Sequence, residues 1–142
     1  MIKTLDLIKL EWGSLPTLQL FEPVQAGFPS PAEDYRAKSL DLNKELMKNP
    51  FATYAFRVIG DSMIDVGIHS GDIVIVNKAE DNKEGKLVVA GINGGWVIKR
   101  YSSKGPKVLL LSENPNHKPI EIKEFDELII FGVVFHVIHA VS

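Results

Sequence analysis

Two side chains in this sequence stand out for the chemistry they could do: a serine at a strand break and a lysine inside a later strand. Tyr54-Ala55-Phe56-Arg57-Val58-Ile59 is an apolar, strand-like run that ends abruptly at Gly60-Asp61, and Ser62 follows the break. Gly60 permits backbone torsions that a side chain would forbid. A break of this kind can lift a hydroxyl clear of a sheet and turn successive backbone N–H groups one way. That combination suits an acyl-transfer nucleophile beside its oxyanion hole. It is equally the composition of an ordinary turn in which Ser62 bonds its own backbone.

The lysine lies in Trp96-Val97-Ile98-Lys99-Arg100-Tyr101. Period-two alternation puts Val97, Lys99 and Tyr101 on one face and Trp96, Ile98 and Arg100 on the other. On an inner face, desolvation would disfavour the Lys99 ammonium and lower its pKa. Each unit of depression costs about 1.36 kcal/mol, which a fold tolerates only with enough surrounding packing. A neutral amine could take the Ser62 proton as a general base. In the opposing arrangement Trp96 and Ile98 form the core face and Lys99 is solvated, as most lysines are.

No other base presents itself as well. His69 sits in a turn seven residues after the serine, and His117 in an Asn/Pro loop. His136 and His139 fall in or just after the last apolar run, three apart, so they do not share a strand face. Nothing selects a histidine oriented by an acid for a triad. No His-x-x-x-His helix or carboxylate cluster suggests a metal site, so the sequence is read with no metal and no cofactor.

The elements that must position these groups are mostly strands. Ala52–Ile59, Ile73–Val76, Lys86–Ile92, Trp96–Tyr101, Lys107–Leu111, Ile120–Ile122 and Leu128–Ile138 are short apolar runs punctuated by Gly, Pro and Asn. Asn93-Gly94-Gly95 is a strong hairpin signal. The fold class expected is mainly β: a compact, strongly bent antiparallel sheet. Ahead of it, Ser30-Pro31-Ala32-Glu33 has the form of a capped helix start, with a short helix to about Lys38. Asp41 can cap a second helix from Leu42 to Lys48, which Pro50 ends.

Residues 1–29 form a separate arm, and 30–142 the β-rich domain. The arm carries Leu5, Leu7, Ile8, Leu10, Leu15, Leu18, Leu20 and Phe21 in no single period, interrupted by Pro16, Pro23 and Pro29. An apolar arm that cannot build its own core is expected to dock on the domain or on a partner.

Composition bounds the rest. The 142 residues are 45% hydrophobic, enough for a real core in one domain. A net charge of −2 with no basic block argues against a large, sequence-independent grip on DNA by this chain, and no direct sequence-specific DNA binding is expected of it either. The absence of cysteine excludes disulfides and thiolate catalysis and fits a cytoplasmic protein. No run of 18 apolar residues would span a membrane, and the N-terminus does not read as a secretory signal.

The ordered set Gly60-Asp61-Ser62-Met63-Ile64-Asp65, Gly67-Ile68, Gly71-Asp72-Ile73-Val74-Ile75-Val76 and Val97-Ile98-Lys99-Arg100 resembles the LexA-type self-cleaving serine proteases. Within them the chain is most similar to the UmuD-like SOS mutagenesis proteins. The closer match is carried by Ala26-Gly27-Phe28-Pro29-Ser30-Pro31-Ala32-Glu33-Asp34-Tyr35, Asp41-Leu42-Asn43, Ala52-Thr53-Tyr54 and Phe131-Gly132-Val133-Val134. It covers about Phe21 to the C-terminus; residues 1–20 match poorly. Asn77 and His117 depart from the common pattern, and the reading sets both away from the dyad.

The resemblance implies a Ser–Lys dyad, with Ser62 as nucleophile and Lys99 as base, and backbone N–H groups of Ser62 and Asp61 as oxyanion donors. It also implies a scissile bond between Ala26 and Gly27. Pro23 and Pro29 hold that segment out of helix, Ala26 fits a tight pocket, and Gly27 lets the backbone approach closely. The implied partners are a RecA–single-stranded DNA filament that stimulates cleavage, a second copy in a homodimer, and a UmuC-type Y-family polymerase. The last would join the processed chain Gly27–Ser142 for translesion synthesis. Three other readings stand beside this one. A non-cleaving polymerase or checkpoint adaptor would not need the intact cleavage set. A LexA-like or phage-type repressor would need a helix-turn-helix that 29 residues cannot supply. A signal peptidase would need a membrane segment.

Overall fold

A computed structural model describes residues 5–8, 18–20 and 38–141. Among them the fold is mainly antiparallel β-sheet with little helix, as the strand-rich sequence predicts. The strands are β1 (Leu5–Ile8), β2 (Leu18–Leu20), β3 (Lys38–Leu40), β4 (Thr53–Val58), β5 (Ile73–Asn77), β6 (Leu87–Ile92), β7 (Gly95–Ser102), β8 (Leu109–Leu111), β9 (Ile120–Glu121) and β10 (Leu128–Ile138). Eight of them form a sheet in the order β1-β4-β5-β10-β6-β7-β8-β9, and β2 pairs with β3 in a separate ribbon.

The longest strand, β10, lies in the middle and is gripped on both sides. It pairs with β5 from Val133↔Asn77 to Ile138↔Ile73, and with β6 from Leu128↔Ile92 to Val133↔Val88. Its register shifts once against each partner, between Ile130 and Gly132 and between Val134 and His136. Such bulges bend a strand and increase its twist, so the sheet curls. Gly132 sits at one of these shifts because nothing larger fits: a Cβ there would lie 2.6 Å from the Asn77 carbonyl oxygen.

The curl gives the sheet two buried faces. Phe56, Val58, Met63, Ile68, Val74, Val76, Val89 and Ile98 pack together as one cluster. Val88, Ala90, Val97, Leu110 and Val133 form a second. Phe131, beside the Gly132 shift, makes edge-to-face contacts with Tyr54, Phe56 and Trp96. Such contacts add to simple area burial.

The only α-helix among the described residues is short, α1 (Leu42–Leu46). Asp41 caps it as predicted, accepting from the Asn43 and Lys44 N–H groups at 3.0 and 3.4 Å. It stops two residues before the predicted end at Lys48. The predicted first helix lies outside the described residues except for its last residue, Lys38, which opens β3 instead. Three residues are too few to read as a strand from sequence.

Part of the arm docks on the domain. β1 adds to the open edge of β4, with Leu5↔Val58 through Ile8↔Ala55. The curl also brings β1 close to β7. Among the described residues, no helix is long and apolar enough to cross a membrane.

Candidate active site

Ser62 stands on the loop that leaves β4. Gly60 takes a φ of 99°, a left-handed conformation that few other residues hold without strain, and this turns the chain out of the strand. The loop is anchored from inside by Met63, only 1% exposed, whose carbonyl accepts the Ile68 N–H at 3.3 Å. It is anchored from the side by the segment after β8. The Glu113 N–H donates to the Ser62 carbonyl at 2.9 Å, and the Asp65 N–H donates to the Glu113 carbonyl at 2.8 Å. Asn114, itself buried, donates from Nδ2 to the Asp61 carbonyl at 2.9 Å. Ser62 is only 9% exposed.

Lys99 is the second buried group. It is 2% exposed and among the largest fully buried side chains of the protein. The open question of which face of β7 is covered resolves in an unexpected way. Val97, Ile98 and Lys99 are all buried, while Trp96 and Arg100 are partly exposed. Alternation assumes one wet face, but here the curled sheet packs on both sides of β7: Val97 joins one apolar cluster and Ile98 the other. Burial pushes the Lys99 ammonium below its ordinary 10.5. Arg100, its neighbour, reaches out to form an ion pair with Glu113 and donates to the Gly85 carbonyl at 2.8 Å.

The buried amine is satisfied by a residue the sequence reading missed. Lys99 Nζ donates to Ser112 Oγ at 2.8 Å. The hairpin partner of Arg100 is Leu111, so β8 continues to place Ser112 across from Lys99. Without that register the serine is indistinguishable from any other at a strand end.

Segment 112–113 therefore touches both groups. Its serine holds the Lys99 amine, and the next backbone N–H holds the Ser62 carbonyl. The hydrogen bond that Lys99 makes here is to Ser112 and not to Ser62. Among the described residues, neither the Ser62 hydroxyl nor the Asp61 and Ser62 N–H groups have a hydrogen-bond partner. These donors stand on one tightly held loop, as an incoming oxyanion would require. Ala26 and Gly27 lie in the stretch between β2 and β3, outside the described residues.

His117 contacts this loop at Asp61. Its Nε2 is 2.8 Å from Asp61 Oδ1, next to Ser62, and its N–H donates to the Asn114 carbonyl at 3.0 Å. Asn77, the other departure, serves a turn: its Oδ1 accepts the Ala79 N–H at 2.9 Å.

The family model for peptidase S24-like proteins matches residues 19–135, a span that holds the loop, Lys99 and Ser112. The chain belongs to the peptidase S24-like family. It is 45% identical over 124 residues to Protein SamA of Salmonella typhimurium, covering 87% of this chain and 86% of that protein. It is 41% identical over 121 residues to Protein ImpA of Escherichia coli, covering 81% and 78%. LexA repressor 1 of Pseudomonas putida is 40% identical over 132 residues, which is 92% of this chain but 63% of the repressor. These relatives bear out the resemblance to UmuD-like proteins of the LexA type. The family is one of serine peptidases, and its SamA and ImpA members set this chain beside the UmuD-like mutagenesis proteins.

Proposed function

We propose that the chain is a self-cleaving serine endopeptidase that cuts its own Ala26–Gly27 bond, with Ser62 as nucleophile and Lys99 as base. The observation that carries this reading is the buried Lys99 amine, held by Ser112 next to the backbone that holds Ser62. A lysine buried without a carboxylate partner is costly to a fold, and such perturbed groups concentrate at functional sites.

The neutral amine takes the Ser62 hydroxyl proton as Ser62 Oγ attacks the Ala26 carbonyl carbon. The Asp61 and Ser62 N–H groups receive the oxyanion. The tetrahedral species collapses, the bond to the Gly27 nitrogen breaks, and the Lys99 ammonium returns the proton to the leaving amine. Water then hydrolyses the ester at Ser62, with Lys99 again as base, and releases residues 1–26. Ser112 accepts a hydrogen bond from the amine and keeps it on station. Tethering makes the reaction intramolecular, so slow chemistry still suffices. Within the tether, β1 holds the chain on the sheet beside β7.

The similarity to SamA and ImpA supports reading this cleavage as a step in SOS mutagenesis. In that setting a RecA–single-stranded DNA filament accelerates cleavage by favouring the conformation with Ala26-Gly27 over Ser62, since an activator can act only through differential affinity. The product Gly27–Ser142, as a homodimer, joins a UmuC-type Y-family polymerase. The test is to incubate the full chain with and without a preassembled RecA–single-stranded DNA filament at neutral pH. Faster accumulation of the fragment beginning at Gly27 with the filament supports the reading. A rate that the filament leaves unchanged overturns the regulated part of it.

A further inference from the structure

His69 and Asp72 belong to the turn that leads into β5, and His139 follows the last residue of β10. His139 is remote from the other two in sequence, 67 positions after Asp72. The sheet brings them together because the β5–β10 pairing ends at Ile138↔Ile73, which sets the residues just beyond that pair side by side. His139 Nδ1 is 2.6 Å from Asp72 Oδ1, and His69 Nδ1 is 3.8 Å from Asp72 Oδ2. The two imidazole rings stack at 4.9 Å with 38° between their planes. One ligand atom from each of the three residues lies within 4.8 Å of the others.

This arrangement differs from a chance surface cluster. The carboxylate is 4% exposed, while the two histidine side chains are 45% and 47% exposed, so a buried anion is capped by two imidazoles that open to solvent. The turn is fixed by its backbone. The Asp72 N–H donates to the His69 carbonyl at 3.0 Å, and the Asp72 carbonyl accepts the Val58 N–H at 2.8 Å. The His69 N–H donates to Asp72 Oδ2 at 2.8 Å and orients the carboxylate, as outer hydrogen bonds do around metal ligands. Ligand bonds of about 2.0–2.1 Å place neighbouring donor atoms of a tetrahedral ion roughly 3.3 Å apart. One ligand atom from each residue already lies within 4.8 Å of the other two, so the three side chains would have to draw in to close on an ion.

We propose that His69, Asp72 and His139 bind one divalent transition-metal ion of the zinc class, linking the turn before β5 to the end of β10. Two imidazole nitrogens and one carboxylate oxygen suit Zn²⁺, Co²⁺ or Ni²⁺ rather than Ca²⁺ or Mg²⁺, which take oxygen shells. Three protein ligands leave a position for water or another donor. The site contains neither Ser62 nor Lys99 and stands independently of self-cleavage. It does lie on the same loop as the serine, through the Gly60 N–H that donates to Ser70 Oγ at 3.3 Å.

The experiment uses the full, untagged chain as Ser62→Ala, so that no cleavage intervenes. Zn²⁺ is titrated by calorimetry and Co²⁺ by visible absorption. The expected result is one ion per chain and the intense visible bands of four-coordinate Co²⁺. His69→Ala and His139→Ala, each half-exposed and judged folded by circular dichroism, should each weaken Zn²⁺ binding at least about tenfold. His136→Ala, on β10 but outside the cluster, should leave it unchanged. No saturable uptake by the parent, or unchanged affinity in either folded histidine variant, overturns the proposal and leaves His139 as a hydrogen-bond partner of Asp72 only.

Discussion

Removing the charge at Lys99 is expected to change how stability depends on pH in a way that isolates that single amine. The side chain is 2% exposed, and burial holds its ammonium below the ordinary 10.5. Between the folded pKa and 10.5 the unfolded chain therefore binds one proton more than the folded chain at this position. Stability rises with pH across that window, by at most about 1.4 kcal/mol per pH unit for one proton. Below the folded pKa the penalty is carried in full; as pH rises towards 10.5 it vanishes. Lys99→Met keeps much of the stem volume and deletes the titration. The comparison is between Ser62→Ala and Ser62→Ala/Lys99→Met, both incapable of cleavage, by urea denaturation from neutrality to alkaline pH. Other titrating groups cancel, and any packing difference is constant with pH. The advantage of methionine should shrink as pH rises, with the slope given above. A difference that stays flat up to 10.5 would refute a depressed Lys99 pKa and with it the general base.

Four further outcomes follow from the same geometry. The self-cleavage rate should rise about tenfold per pH unit below the folded pKa of Lys99 and then level off, read by intact-mass spectrometry of the Gly27 fragment. Ser112→Ala removes the acceptor for the Lys99 amine and should slow cleavage about ten- to a hundredfold, as loss of a hydrogen bond to a charged or developing-charge group does, with Ser112→Thr restoring it. Gly132→Ala would drive a Cβ to 2.6 Å from the Asn77 carbonyl oxygen and should lower unfolding free energy by about 1–3 kcal/mol in urea melts. Gly27→Trp should block processing while leaving the gel-filtration profile of the intact chain unchanged.

The sequence made the strand pattern and the break at Gly60 legible because both rest on local rules: short apolar runs, turn residues and a glycine where φ is positive. The Asp41 cap was legible for the same reason. The long-range features were not. β1 is only four residues, and its pairing with β4 depends on an open sheet edge that no local pattern records. The burial of Lys99 together with Val97 and Ile98 defeats period-two reading because the curled sheet covers β7 on both sides. Ser112 and the His69–Asp72–His139 cluster become visible only through strand register, which aligns residues far apart in the chain. The family resemblance supplied Ser62 and Lys99 as a pair, and the fold adds the segment 112–113 that touches both.

The claim on which the proposed chemistry depends is that a buried amine and a nearby hydroxyl together cut the chain's own arm. Parent, Ser62→Ala and Lys99→Met chains held at alkaline pH, followed by N-terminal mapping of every fragment, measure this directly. The expected result is a fragment beginning at Gly27 from the parent alone. The same fragment from both variants would contradict self-cleavage and point to a contaminating protease.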